Sequence, residues 1–239
     1  MPNPAYDLHL HSCLSPCGDD DMTPANIVGM AAVKQLGVIA VTDHNSCKNC
    51  GAAMRLGEEY GVLVVPGMEL TTSEEVHVVC LFEELSAAME FDSYVYGCLP
   101  DIPNREKVFG KQQIMNENEE VTGIVDKLLI NATTIGFDHV YSLVSEYGGV
   151  MIPAHLDKST TSLLSNLGFI PPTSRFTTAE VKNLTKLHEL VRSNPYLNNC
   201  RIISNSDAHY LQDIREPIYN LHVESMTTKA VIQALKEKP

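Results

Sequence analysis

Apolar residues along this chain gather in short, β-branched runs separated by longer stretches of helical periodicity. Residues 6–11 open the chain as a strand-like run. After a loop, Thr23 suits an N-cap, Pro24 suits a first helical turn, and Gly37 is placed to stop that helix. Residues 38–42 are apolar and β-branched, the pattern of a buried parallel strand. A helix to about Tyr60 precedes a strand at 62–65, which leads through Pro66 and Gly67 to Glu69, and 76–82 reads as the next strand. From 84 to about 147 the pattern is mostly helical, with a polar, irregular middle at 99–120 that holds Arg105, Lys107 and Lys111. Beyond Gly148 and Gly149 the rhythm returns, with a strand at 150–154, a helix from Ser159, a strand near 179–182 and a helix from about Leu184. A strand at 201–205, an extended stretch at 217–223 and a closing helix at 227–236 complete the chain.

Strands alternating with helical stretches predict a parallel sheet in an α/β fold. The side chains able to do chemistry cluster where those strands end. His9 and His11 end the first, and residues two apart on a strand point to one face, so both can reach one ion. Thr42-Asp43-His44 ends the second and Glu69 follows the third. Pro153-Ala154-His155 and Asp207-Ala208-His209 end two late strands, while His77 stands alone inside Val76–Val79. In a β/α barrel the carboxyl ends of the strands form the face where active sites are built. One barrel-like domain over residues 1–239, with a less regular helical insert around 84–147, accounts for the whole pattern. Neutral imidazole and carboxylate are the ligand set of zinc, manganese and iron, and one ion rarely takes more than four protein ligands. The chain offers enough for two or three. His139, His188 and His222 have no acidic or histidine partner at ligand spacing and read as ordinary surface or core residues.

Charge narrows the partners. Seventeen basic against thirty acidic side chains give a formal charge of -13, which disfavours duplex nucleic acid, whose binding depends on a basic footprint. A small phosphorylated substrate, drawn in locally by bound cations, fits this balance. No apolar run approaches the ~20 residues of a bilayer span, and the first residues show neither a basic region nor a hydrophobic signal core. The expectation is a cytoplasmic protein with no membrane partner, whose odd set of seven cysteines stays mostly reduced.

The ordered motifs His9-Leu10-His11-Ser12, Thr23-Pro24, Thr42-Asp43-His44, Glu69, His77, Ala154-His155 and Ser206-Asp207-Ala208-His209 resemble those of the PHP family (polymerase and histidinol phosphatase domain). The resemblance runs from Tyr6 to His209. It implies a distorted (β/α)7 TIM-like barrel holding two or three divalent metals, and hydrolysis of phosphoesters. By that resemblance a first metal is held by His9, His11, Glu69 and Asp207, and a second by Glu69, His77 and His155 with Glu69 bridging. A third uses His44, His209 and an acid from the loop after the first strand. Counting back from Thr23-Pro24 picks Asp19, but Gly18 precedes the acids instead of following one, so Asp20 stays open.

The function this predicts is a metal-dependent phosphoesterase for a small phosphorylated metabolite or nucleotide, using a metal-bridging hydroxide. Asp43 is a candidate to stabilise the leaving oxygen, and Lys158, three residues beyond His155, to contact substrate phosphate. Arg175 is a further possible anion contact. One alternative is an amidohydrolase-type C–N hydrolase, which often bridges its metals with a carboxylated lysine, for which only Lys182 is placed. The other is a non-catalytic, polymerase-associated PHP module, which would be expected to have lost ligands. Cys13 and Cys17 follow the first strand and Cys47 and Cys50 the second. Adjacent strands would bring the four together as an additional zinc or iron–sulfur site.

Overall fold

The structure is a computed structural model and describes residues 1–238. β1 (Tyr6–Leu10), β2 (Val38–Val41) and β3 (Leu63–Thr71) pair in parallel, linked by α1 (Pro24–Val33) and α2 (Cys50–Tyr60). Thr23 Oγ1 caps α1 by accepting from Asn26 N, and Pro24 occupies its first turn. α1 ends at Val33, before the glycine expected to stop it, and Gln35 turns the chain at φ 59°.

The next strand departs from the parallel expectation. β4 (His77–Leu81) runs antiparallel to β3, with Thr71 opposite His77. Only the turn at 72–76 joins the two, and a parallel pair would need a crossover of a dozen residues or more. β4 is followed by α3 (Leu85–Cys98), the short α4 (Glu106–Phe109), a hairpin of β5 (Gln113–Met115) and β6 (Val121–Ile124), and α5 (Phe137–Glu146). The hairpin lies largely in the polar stretch that carries no strand pattern. Its turn is set by Asn116, whose Oδ1 accepts from the backbone N–H groups of Asn118 and Glu120.

β7 (Val150–Pro153) pairs antiparallel with β4 and so restores the direction of β1 to β3. Ser162, in a capping box with Ser165, starts α6 (Leu163–Leu167) a few residues later than Ser159. β8 (Thr178–Glu180) and β9 (Arg201–Ile203) form a parallel pair on either side of α7 (Leu187–Ser193), and α8 (Thr228–Lys236) ends the chain's regular structure. Leu156 N donates to Glu180 O at 2.8 Å, and His11 N to Ala208 O at 3.0 Å. These bonds tie the β8–β9 pair to β7 on one side and β1 on the other. Seven strands, β7-β4-β3-β2-β1 and then β9-β8, therefore encircle one distorted barrel.

Leu8, Val38, Ala40, Val65, Val79 and Ile152 pack inside the barrel, and α8 closes its lower end with Val231 and Leu235. Ile39, Val41, Val64 and Met68 belong to the outer layer beneath the helices. Full burial of each such aliphatic side chain contributes about 1.5–3 kcal/mol. β1 holds one irregularity: Asp7 pairs with Ile39 but Leu10 with Val41, three residues against two. Such a bulge re-aims side chains. Leu8 lies in the inner core, whereas Leu10 joins the outer one, which leaves His9 and His11 turned into the barrel mouth. Among the described residues no helix is long and apolar enough to cross a membrane.

Candidate metal centre

The carboxyl ends of the parallel strands, and the start of the reversed β4, share one rim. This is why His77 can open a strand yet sit beside residues that close theirs. Glu69 lies at the middle, only 1% exposed. Its Oε1 is 3.2 Å from His9 Nε2, 3.0 Å from His77 Nδ1 and 3.1 Å from His155 Nε2. Its Oε2 is 3.3 Å from His11 Nε2 and 3.1 Å from His44 Nδ1. Asp207 Oδ1 stands 3.6 Å from His9 Nε2 and 3.4 Å from His11 Nε2. The His209 ring stacks on His11, centroids 4.2 Å apart.

The backbone is held in unusual conformations to reach this geometry. His155 has φ 31° and Asp207 φ 55°, the left-handed region that non-glycine residues rarely enter. Strain of this kind persists where surrounding bonds over-determine it. Here His155 N donates to Glu180 Oε1, and Ser206 N to Asp7 Oδ1.

Orientation of the rings is also fixed. His9 Nδ1 faces Glu180 Oε2 at 3.0 Å, and His11 Nδ1 faces Ser15 Oγ at 3.0 Å. Each contact leaves Nε2 free to ligate, the usual arrangement behind a metal-bound histidine. Glu180 also accepts from Asn205 Nδ2. Sequence reasoning missed this residue; the only signal was an acid ending an otherwise apolar strand.

Electrostatics follow from burial and crowding. Burial alone would raise the Glu69 carboxyl, but His77, His9 and the other imidazoles outweigh it and hold its pKa well below the usual range. Glu180 is likewise lowered against burial, by His9. For His9, burial is overcome by Glu180, Glu69 and Asp207, and its pKa rises well above the ordinary value. His44 is driven well down by burial and by His11. Burial, then His11, lowers His209 to about 4.

These residues fit divalent cations. Potential ligand atoms lie within 4.8 Å of one another in three groups: His9, His11, Glu69 and Asp207; His44, Glu69 and His77; and His11, His44 and His209. His44 Nδ1 is buried 3.1 Å from Glu69 Oε2 but makes no hydrogen bond there, an unpartnered ring nitrogen that a cation between the two would satisfy. The buried cluster suits a multi-metal site. His155 approaches Glu69 Oε1 and lies beside His77, ring centroids 5.4 Å apart, but belongs to none of the three groups, whereas His44 joins Glu69 and His77 in one of them.

Other candidates fall elsewhere. Asp19 is partly exposed; its N–H donates to His209 O, while its Oδ1 accepts from Asp21 N, and Asp20 is exposed. Asp43 is buried below the centre and accepts from Ser12 N, Ser12 Oγ and Ser15 Oγ at 2.6–2.7 Å. It braces the loop that orients His11. Lys158 Nζ lies 2.7 Å from Asp207 Oδ2 at the mouth, its ammonium favoured by that carboxylate against partial burial. Lys182 Nζ is 3.6 Å from the same oxygen. His139, His188, His222, Arg105, Lys107, Lys111 and Arg175 are exposed.

The four cysteines expected to converge do not. Cys50 starts α2 and points down between the strands, its Sγ 3.4 Å from Val41 O and 3.3 Å from Gly67 O. Cys47 is buried beside it, Cys13 Sγ packs 3.4 Å from Met115 Sδ, and Cys17 is exposed. Among the described residues no potential metal group includes a cysteine. The helix start turns the second pair away from the loop that carries the first.

Comparison with known proteins agrees with this architecture. The PHP domain model matches residues 7–228. Over 76 residues the chain is 37% identical to uncharacterized protein MJ1587 of Methanocaldococcus jannaschii, covering 28% of this chain and 44% of that protein. It is 32% identical over 79 residues to a 5'-3' exoribonuclease of Haemophilus influenzae, covering 32% of this chain and 28% of the relative. The aligned stretches thus span less than half of either relative. The lesion-specific endonuclease PfuEndoQ of Pyrococcus furiosus shares the fold with a TM-score of 0.67 at 17% identity, over 98% of this chain and 56% of that one.

Proposed function

The chain belongs to the PHP domain family, and from that premise we propose that it is a metal-dependent phosphoesterase acting on a small phosphorylated metabolite or nucleotide. The observation that carries this reading is one buried carboxylate, Glu69, ringed by the imidazoles of His9, His11, His44, His77 and His155. Two or three divalent cations bound there would polarise phosphoryl oxygens and lower the pKa of a nearby water. His9, His11, Glu69, Asp207, His44, His77 and His209 are the ligands best placed to hold them, with His155 beside them and Asp19 as the loop acid of the family pattern.

The chain's own groups supply the rest. Lys158 keeps its proton beside Asp207 and presents an ammonium to the non-bridging oxygens of the phosphate. His44 and His209, with pKa values below the ordinary imidazole, stay neutral near pH 7 and serve as nitrogen donors to a metal, not as acids. Asp43 accepts from Ser12 and Ser15 and acts by bracing the loop beneath His11. Glu69 lies in two of the three ligand groups and would take the bridging role that a carboxylated lysine has in a C–N hydrolase, and this favours phosphoester chemistry.

The exoribonuclease and endonuclease among the similar proteins act on nucleic acids by their names. For this chain they support a nucleotide or a short oligonucleotide end as substrate, because a charge of -13 opposes long duplex contacts. The test is inorganic phosphate release from a panel of phosphomonoesters with manganese, zinc or iron supplied. Elemental analysis of the same protein and of His9→Ala accompanies it. Turnover, with metal content falling in the variant, is expected; absence of turnover on every ester with every metal ends the reading.

A further inference from the structure

Two ammonium groups share one oxygen of a buried carboxylate at the rim of the centre. Lys158 and Lys182 both point at Asp207 Oδ2, at 2.7 and 3.6 Å, while their side chains remain 38% and 43% exposed. Their convergence is built. Lys158 follows β7 and Lys182 follows β8, and Asp157 staples the two loops: its Oδ1 accepts from Lys182 N at 2.8 Å and its Oδ2 from Asn183 N at 2.9 Å. Such a pair is unusual on a chain this acidic. Both ammonium groups converge on a single carboxylate oxygen, and their partly exposed heads remain within reach of an incoming anion.

Lys158 also lines a cavity of about 380 Å³ enclosed by the loop after β7, α6 and α7, so one side chain borders both the Asp207 carboxylate and this cavity. Leu156, Leu164 and Leu190 give it an apolar lining, and Lys186 and Glu189 offer a donor and an acceptor at its rim. Its size falls within the range of small-ligand sites, which combine an apolar body with few polar groups. A cationic pair next to a partly apolar cavity, joined through Lys158, matches a phosphate ester: the anion at the lysines, then the organic group it is attached to.

We propose that this cavity receives the alcohol part of the substrate, with Lys158 and Lys182 together gripping the phosphate beside Asp207. The proposal rests on the phosphoesterase reading and adds where the substrate lies and what it is: an ester whose organic part has an apolar face and a polar edge, about the size of a nucleoside. Lys182 is then a binding residue, and α7 sets substrate size.

Calorimetric binding and steady-state kinetics, both with manganese-loaded protein, test this. Ser193→Trp, at the end of α7 in the cavity lining, fills space at a position that is none of the metal ligands. It should weaken binding of a nucleoside monophosphate, and raise its KM, roughly tenfold. Glycerol phosphate should change less than about twofold, since it leaves the outer cavity empty. Lys182→Ala should weaken inorganic phosphate binding roughly tenfold and raise KM more than it lowers kcat, with Lys182→Arg restoring much of the loss. Unchanged melting and metal content separate these effects from misfolding, and Leu190→Trp provides a second filling variant if Ser193→Trp unfolds. Wild-type protein that binds no nucleotide, or filling variants that affect both esters alike, overturns the inference. Protein that binds nucleotide in the cavity yet releases no phosphate from any ester overturns the phosphoesterase reading and leaves the cavity assignment standing.

Discussion

Replacing Glu180 tests whether the residue behind His9 controls the metal centre. Its carboxylate is fully buried and takes three contacts: His9 Nδ1, His155 N and Asn205 Nδ2. Glu180→Gln keeps the shape but removes the charge that fixes His9 with its Nε2 turned inward. Loss of such an outer partner costs 10–100-fold in metal affinity, about 1.4–2.7 kcal/mol. Glu180→Ala goes further, because it strands three buried polar groups at about 1–3 kcal/mol each. That is a loss of about 3 kcal/mol at least, or roughly 6–12 °C in Tm for a chain of this size. Competition with a chromophoric zinc chelator measures the first variant, and calorimetry of metal-free protein the second. Glu180→Gln binding zinc within about twofold of wild type would refute the outer-partner reasoning. A silent Glu180→Ala melt would refute the burial argument.

Asp43→Ala should cost about 2–4 kcal/mol, since it strands the Ser12 and Ser15 donors of the loop beneath His11; denaturant unfolding measures it, and a loss below about 1 kcal/mol contradicts the bracing role. Cys47→Ser with Cys50→Ser should leave the metal content per chain unchanged, and among these four cysteines a thiol reagent should label exposed Cys17 first in native protein; elemental analysis and mass spectrometry decide, and loss of zinc or iron would restore a sulfur site. Metal-free protein should lose stability at both pH extremes. Glu69 and Glu180 have pKa values below their ordinary 4.5, so their contribution is complete above that pH and disappears as pH falls through the folded values. His9 lies above its ordinary 6.5, so its contribution is complete below that pH and disappears as pH rises through the folded value. A series of melting curves across pH reads both limbs, and a flat alkaline side would remove the His9 argument.

The barrel and most of its rim were legible because strand ends recur with the same residue types. His9, His11, His44, Glu69 and Asp207 each follow an apolar run, and a run two or three residues from its last ligand specifies position well. What escaped depended on three-dimensional partners. The reversal of β4 turns on a five-residue connection, which the apolar pattern of 76–82 does not report. The approach of both His44 and His155 to His77, at ring-centroid distances of 5.2 and 5.4 Å, depends on that reversal. Glu180 looks like any acid in Thr-Ala-Glu until His9 and the backbone of His155 are set against it. The cysteine pairs had suitable spacing, but spacing along a loop does not say which way a helix start will face.

The same parts explain why the site holds together before any cation binds. A bulge in β1 and two left-handed residues, His155 and Asp207, each depart from what the local sequence prefers, and the latter two cost about 1–3 kcal/mol apiece. Crowding imidazoles around carboxylates compensates: the neighbouring rings, His9 among them, hold Glu69 and Asp207 below the ordinary carboxylate range against burial. A divalent cation bound there would supply positive charge beside the same carboxylates. The rings that would hold it are oriented beforehand, His9 by Glu180 and His11 by Ser15, which Asp43 braces in turn. Metal affinity should then rest on that held orientation, with Glu180 behind His9 a residue whose loss weakens it.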